Sequence, residues 1–391
     1  MRYRFRMNKK LTVLAMCVLL QACTQVDDYL LGKDNTPAPT ALEPIKSKAK
    51  LVEKWSVPIG KSQKVAINFK LKPEIIGNIV YTADSNGMIQ AVDKANGKLL
   101  WSKKLNSGVV SGPTVSAGSV ALGTDTSSIV LLKQSDGSEL WQGKVSGEVL
   151  SKPVIANHKV IAKTIDGNLY AFDLATGEKL WVSDHGAPSL ILKASSSPVV
   201  VDNKLALVGY SDGKMDAVDV QTGHLVWQRS IAYASGASDV ERLVDIDADP
   251  IIRGNVAYLA SYQGYVGALS LSDGQFIWRK PASVYKNMAI DGNTLYLTDS
   301  DDVIWAINRH SGQVNWKQVA LKARGLTEPV IMGNRIIVGD KTGLLHVLAT
   351  QNGDLISRAQ LGGSVAIAPS VAGDNIYVMT TNGKLSRFSV S

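Results

Sequence analysis

A motif of the form Ala-x-Asp-x-x-x-Gly-x-x-x-Trp recurs along this chain, and it constrains the fold more than any other feature. Its clearest copies are Ala91 to Trp101, Ala171 to Trp181 and Ala217 to Trp227. Weaker copies run from Leu131 to Trp141, Ala268 to Trp278 and Ala306 to Trp316. A seventh, Val347 to Ser357, lacks the Trp, and Trp55 stands alone before the first copy. The period is about 40 residues, the signature of a propeller or a similar array of short strands. A second series keeps the same count. Pro73, Pro113, Pro153, Pro198, Pro250, Pro329 and Pro369 each open a short β-branched run, with Met288 in the remaining place. Proline is tolerated at the first residue of a strand and poorly inside one. A turn, an alternating strand, a second turn and a third strand then lead into the motif, so each unit is four short antiparallel strands.

The ends of the chain match as halves of one unit. The last unit stops after its third strand, near Phe388, and a spare fourth strand with Trp55 lies at Leu51 to Val57. Pairing them closes the ring and removes two open edges. The expected fold is all-β: an eight-bladed β-propeller of four-stranded antiparallel blades, closed by the N-terminal strand. Each Trp is expected to fill the space between neighbouring blades. Ser357 breaks that series beside the closure, which predicts a looser contact there, visible as weaker hydrogen-exchange protection in the last blade.

Three segments are expected: a signal peptide over 1–22, a modified cysteine with a tether over 23–48, and the propeller over 49–391. A basic stretch (Arg2 to Lys10) precedes an apolar run, Leu11 to Leu20, about half the length that spans a bilayer. The run ends in Leu20-Gln21-Ala22-Cys23, which resembles the lipobox of bacterial lipoproteins. That resemblance implies acylation of Cys23 and cleavage before it. Thr24, rather than Asp, then favours sorting to the outer membrane, with the body facing the periplasm. The only other cysteine is Cys17, so the mature chain has no internal disulfide and no thiolate site. Residues 24–48 are polar with three prolines. As a flexible coil they span roughly 25–30 Å, keeping the body close to the membrane.

The formal net charge of +8 does not signal a polyanion partner. Without the five basic residues of segment 1–22 the balance is 37 basic against 34 acidic residues. The five histidines are far apart, and no Walker, G-x-G-x-x-G or G-x-S-x-G motif occurs. The run Asp245 to Asp249 has the carboxylate spacing of a calcium loop. It lacks that loop's glycine and its twelfth-position Glu.

Function is expected where the repeat is broken. The link from one blade's Trp position to the next blade's Pro position is 12 or 13 residues in four blades. It is 18 from Trp55 to Pro73, 17 from Trp181 to Pro198 and 23 from Trp227 to Pro250. The last two are consecutive and open on one face. The first holds Leu190, Leu192 and Lys193; the second holds Arg242, Asp245 and Asp247. Apolar anchors beside charges suit a protein contact. Spacing alone does not separate this from loops packed onto their own blades with solvated acids.

The lipobox, the tether and the motif units together are similar to the BamB family, the propeller lipoproteins of the outer-membrane β-barrel assembly machinery. The resemblance covers essentially the whole chain. It implies a non-enzymatic scaffold that docks on the periplasmic POTRA domains of BamA and assists unfolded outer membrane protein clients. Pro188 to Lys193 matches the family's loop that contacts BamA, including Leu190 and Leu192, with Lys193 where the family commonly has Arg. Asp245 and Asp247 match its second contact loop. Two other readings belong beside it. A quinoprotein dehydrogenase with pyrroloquinoline quinone and calcium shares the blade motif, but most links here are too short to build a cofactor lid. A glycan-binding lipoprotein needs exposed aromatics, for which Tyr233, Tyr262 and Tyr265 are the candidates. No cofactor and no metal is expected.

Overall fold

A computed structural model describes residues 37–60, 69–188, 190–235, 237–239 and 241–391. Residues 40–391 form one compact unit. Its strands make eight four-stranded antiparallel sheets, the blades of a β-propeller. In chain order blades 1 to 7 occupy 74–104, 109–144, 154–184, 199–230, 251–282, 289–318 and 330–360. Blade 8 combines 370–390 with the strand Leu51–Pro58, which pairs antiparallel with Lys384–Val390. The closure expected from the two half-blades is therefore the one observed. In seven blades the innermost strand starts directly after the Pro or Met of the series. In blade 2 the strand Val109–Ser116 runs through Pro113, with the register interrupted around it.

Blade 3 shows how the motif builds the outer hairpin. Asp173 accepts the N–H groups of Ala175 (3.0 Å) and Thr176 (2.8 Å) through Oδ1, which shapes the turn. Gly177 completes it at φ +71°, a conformation that suits glycine. Past the turn the register slips by one residue, so that Trp181 stands opposite the small Ala171. The same slip recurs at the same place in blades 1 to 7. Its effect is to aim the indole at the next blade. Trp141 lies over Gly177 of blade 3, where a Cβ would come within 2.6 Å of the ring, and donates its Nε1–H to the Leu174 carbonyl at 3.0 Å. Trp55, Trp101, Trp181, Trp278 and Trp316 make the equivalent bond.

Two seams have no indole over a turn glycine: the one between blades 4 and 5 against expectation, and the one at Ser357, where the series lacks its Trp. Between blades 4 and 5, Gly274 is covered by the Arg229 side chain rather than by Trp227. Trp227 has no hydrogen bond to the next blade among the described residues, and a cleft of about 580 Å³ opens beside it. Between blades 7 and 8, Ser357 is buried. Blade 8 takes its outer strand from the N-terminus, so it has no outer turn and no glycine for an indole to cover. Ala49, Leu51, Ile356 and Phe388 pack in one cluster there instead.

The propeller also begins earlier than residue 49. Thr40 donates its N–H (3.0 Å) and its hydroxyl (2.9 Å) to the Lys322 carbonyl. Arg324, held by Asp340 at 2.7 Å, donates to the Thr40 carbonyl at 3.0 Å. Leu42 packs on the cluster of Leu321, Leu326 and Leu348. Residues 40–48 are thus a strap laid on blade 7. The expected signal peptide, Cys23 and the tether up to residue 36 lie outside the described residues.

Candidate functional site

The links between blades emerge on one face, and the three long ones meet there. Residues 69–72 of the first enter the central channel, where the Lys70 ammonium pairs with Asp249 of the third. Lys70 also donates to the Asp247 carbonyl (3.2 Å) and to the Ser197 hydroxyl of the second link (3.3 Å). Ser197 donates its N–H to Asp249 at 2.6 Å. Two further pairs, Lys72–Glu328 (3.1 Å) and Lys152–Glu74 (2.6 Å), join links and inner strands of other blades. A lysine from the first long link therefore fixes the inner ends of the other two. Link length was the sequence signal for this convergence, but length alone does not say that Lys70 is the common partner.

The link 185–198 leaves blade 3 at His185. Its Nδ1 lies 2.6 Å from Asp216 and its Nε2 3.1 Å from Asp212, with the ring stacked on Tyr210 at 3.6 Å and 5°. Burial lowers the imidazole pKa, but the bonds to Asp212 and Asp216 and their charges outweigh it and raise it to about 9. Further on, Leu190 is 43% exposed, and Ile191 and Leu192 are half-buried. Lys193 is exposed and pairs with Glu148 of the preceding link at 2.9 Å. The apolar anchors are thus presented on a loop fixed at both ends. Nothing in the repeat motif pointed to His185 or Glu148.

The second insertion has an outer and an inner part. The outer part is a turn in which the Ser238 hydroxyl accepts the Glu241 N–H (3.3 Å) and the Glu241 carboxylate accepts the Ser238 N–H (3.1 Å). This is the reciprocal arrangement of a capping box. Arg242 is exposed beside it. From Leu243 the chain turns inward, and Leu243, Val244, Ile246 and Ala248 are all buried.

Asp245 and Asp247 depart from the solvated or partner-facing charges expected of them. They are 0% and 2% exposed. Neither Asp245 oxygen, nor Oδ2 of Asp247, has a hydrogen-bond partner among the described residues. The Ser211 hydroxyl and the Leu192 backbone lie on the Asp245 side, without a bond of ordinary geometry. Burial raises the Asp245 pKa to about 6. Burial and then the Asp245 charge raise that of Asp247 to about 7. Fully buried Lys163 is drawn down to about 8 by desolvation, against the pull of Asp247. It donates to the Gly209 carbonyl and lies 4.9 Å from the Tyr210 ring centre. The two aspartates are buried because the chain here passes between blade 4 and the channel. In the free chain they lie beneath the loop surface and not on its exposed side.

Asp249 turns to Lys70 and Asn287, away from Asp245, so the acidic run does not converge as a calcium loop would. The cluster Asp299 to Asp302 is a hairpin turn, with Asp299 accepting the Asp301 and Val303 N–H groups. Of the three tyrosines weighed for glycan binding, Tyr233 is 67% exposed. Tyr265 lies under Arg279, and Tyr262 packs edge-on to Tyr285. They form no continuous aromatic face.

A family model described as outer membrane protein assembly factor BamB matches residues 85–318 and 319–391. A BamB of Legionella pneumophila is 62% identical over 385 residues, covering 98% of this chain and 100% of that protein. The crystal structure of BamB from Moraxella catarrhalis superposes with a TM-score of 0.79 at 24% identity, covering 87% of this chain and 100% of that one. A europium-containing methanol dehydrogenase superposes at 0.71 with 13% identity, covering 87% and 93%, and shares the fold alone. By family model and full-length identity the chain belongs to the BamB family of outer membrane protein assembly factors.

Proposed function

We propose that the link face is a docking surface for the periplasmic POTRA domains of BamA, and that the chain is a scaffold lipoprotein held at the outer membrane by an acylated Cys23. One observation carries this reading. Leu190, an apolar side chain 43% exposed, stands on a loop held by a charge pair at one end and by a buried histidine at the other. An exposed leucine on a fixed loop loses little conformational freedom on binding, so its burial favours association. Leu192 supports it from the half-buried side. Lys193 and Arg242 supply charge at the rim, where charges set register and on-rate. Asp245 and Asp247 belong to the same surface from beneath. Held in this way, the partner's domains are oriented to receive substrate strands.

The test is a pull-down with purified POTRA domains. It compares wild type with a Leu190→Ala/Leu192→Ala chain and with Lys193→Glu, each first shown to keep its β-sheet signal. Wild type is retained, the double variant is lost and Lys193→Glu is weakened. Retention of the folded double variant places the contact elsewhere, and absence of wild-type binding removes the proposed partner.

A further inference from the structure

We propose that His185 is a positioning residue for docking: as an imidazolium clamped between Asp212 and Asp216, it sets the first insertion against the second across one shared hairpin. The proposal rests on the docking reading above and names what holds that surface in shape.

The geometry fixes the protonation state. Both ring nitrogens lie within hydrogen-bond distance of carboxylate oxygens, at 2.6 and 3.1 Å. A neutral imidazole has one N–H, so its second nitrogen would set a lone pair against a carboxylate. Only the doubly protonated ring satisfies both. The His185 side chain is 5% exposed and that of Asp216 7%, so the charges are poorly hydrated and depend on one another.

The hairpin segment 209–216 that carries both carboxylates also carries the second insertion. Ile246 donates its N–H to the Tyr210 carbonyl at 3.1 Å. The Ile246 side chain fills the space where a Cβ on Gly209 would stand. The Asp245 carboxylate lies on the Ser211 side. One short segment is thus held by His185 of the first insertion and by Ile246 of the second. Tyr210 is common to both, through its ring for His185 and through its carbonyl for Ile246. The charged and titratable groups around this joint are Asp184, Asp212, Asp216, Lys214, Tyr210, Lys163 and Asp245. Lys214 pairs with Asp212 at 2.7 Å, and Asp184 accepts the Gly186 N–H at 2.9 Å.

The experiment uses the full chain, purified POTRA domains, and the variants His185→Asn and His185→Arg. Asn keeps a donor without the charge or the second N–H. Arg keeps a stacking cation with several donors. His185→Asn weakens binding by about tenfold or more, the equivalent of one charge-assisted hydrogen bond. His185→Arg restores most of it. The pH profile separates positioning from simple packing. Wild-type binding falls as pH rises through about 9, where His185 loses its proton, whereas the Arg variant holds across that range. Lys163 titrates in both proteins and cancels in the comparison. Amide exchange supplies a readout that needs no partner. His185→Asn speeds exchange in 190–194 and in 243–248 together, leaving the blade strands protected. Wild-type affinity in a folded His185→Asn chain, failure of Arg to rescue, or unchanged exchange in 243–248 each overturns the proposal. Coupled exchange in a wild type that does not bind keeps the joint and overturns only the docking reading.

Discussion

Replacing one glycine in each of two outer turns tests the account of the blade seams with backbone conformation held equal. Gly177 and Gly274 sit at φ +71° and +69°, so an alanine at either pays the same conformational penalty, about 1 kcal/mol. Their surroundings differ. A Cβ at Gly177 comes within 2.6 Å of Trp141 Cγ, in a ring pinned by its bond to Leu174. A Cβ at Gly274 comes within 2.5 Å of Arg229 Nε, near the end of a flexible side chain whose exposed bond to the Asp273 carbonyl (3.2 Å) water can replace when it swings aside. Overpacking against a fixed ring adds about 1–3 kcal/mol. Gly177→Ala is therefore expected to cost about 2–4 kcal/mol and Gly274→Ala about 1 kcal/mol. Urea unfolding followed by tryptophan fluorescence measures both, with the slope of the transition checked for equality. Equal midpoint shifts would refute the claim that blades 4 and 5 meet without an indole lock.

Two further outcomes follow from burial. Asp245 and Asp247 have folded pKa values raised to about 6 and about 7, so the folded state holds protons that the unfolded chain has released. The stability they contribute is present below pH 4 and is lost as pH rises through 6 to 7. Asp247→Asn flattens that stretch of the stability–pH profile and leaves the carboxylates of the outer turns titrating as before. A chain beginning at residue 49 loses the contacts of Thr40 and Leu42 with blade 7. It should unfold about 1–3 kcal/mol more easily than one beginning at residue 37, through lost apolar burial and the Arg324 bond.

Much of this architecture is legible in the sequence because the repeat writes each blade in local terms. Asp, Gly and Trp at fixed offsets specify a turn, a left-handed residue and a wedge. Each acts within its own hairpin or on the next, and the count of eight follows. What the sequence hides is set by groups distant along the chain. Trp227 sits in one of the clearest copies of the motif, yet its seam differs because Arg229 occupies the space over Gly274. The motif letters of blade 4 carry no trace of that. Asp245 and Asp247 look like surface charges because acids usually are. They are buried because three long links cross one channel mouth, and only the closed ring shows that Lys70 waits there for Asp249. His185 was one unremarked histidine until the hairpin at 209–216 placed two carboxylates around it. Ser357 lacks its indole because blade 8 lacks the outer turn, a consequence of closure rather than of any local defect.

The central claim is that the face carrying the long links meets the partner. Site-specific photocrosslinking in intact cells tests it most directly. A benzophenone side chain is placed at position 190 or 192 on that face, and at position 96 or 351 in outer turns on the opposite face. The account predicts crosslinks to BamA from the first pair and none from the second. Crosslinks from the outer turns with none from 190 or 192 would contradict it.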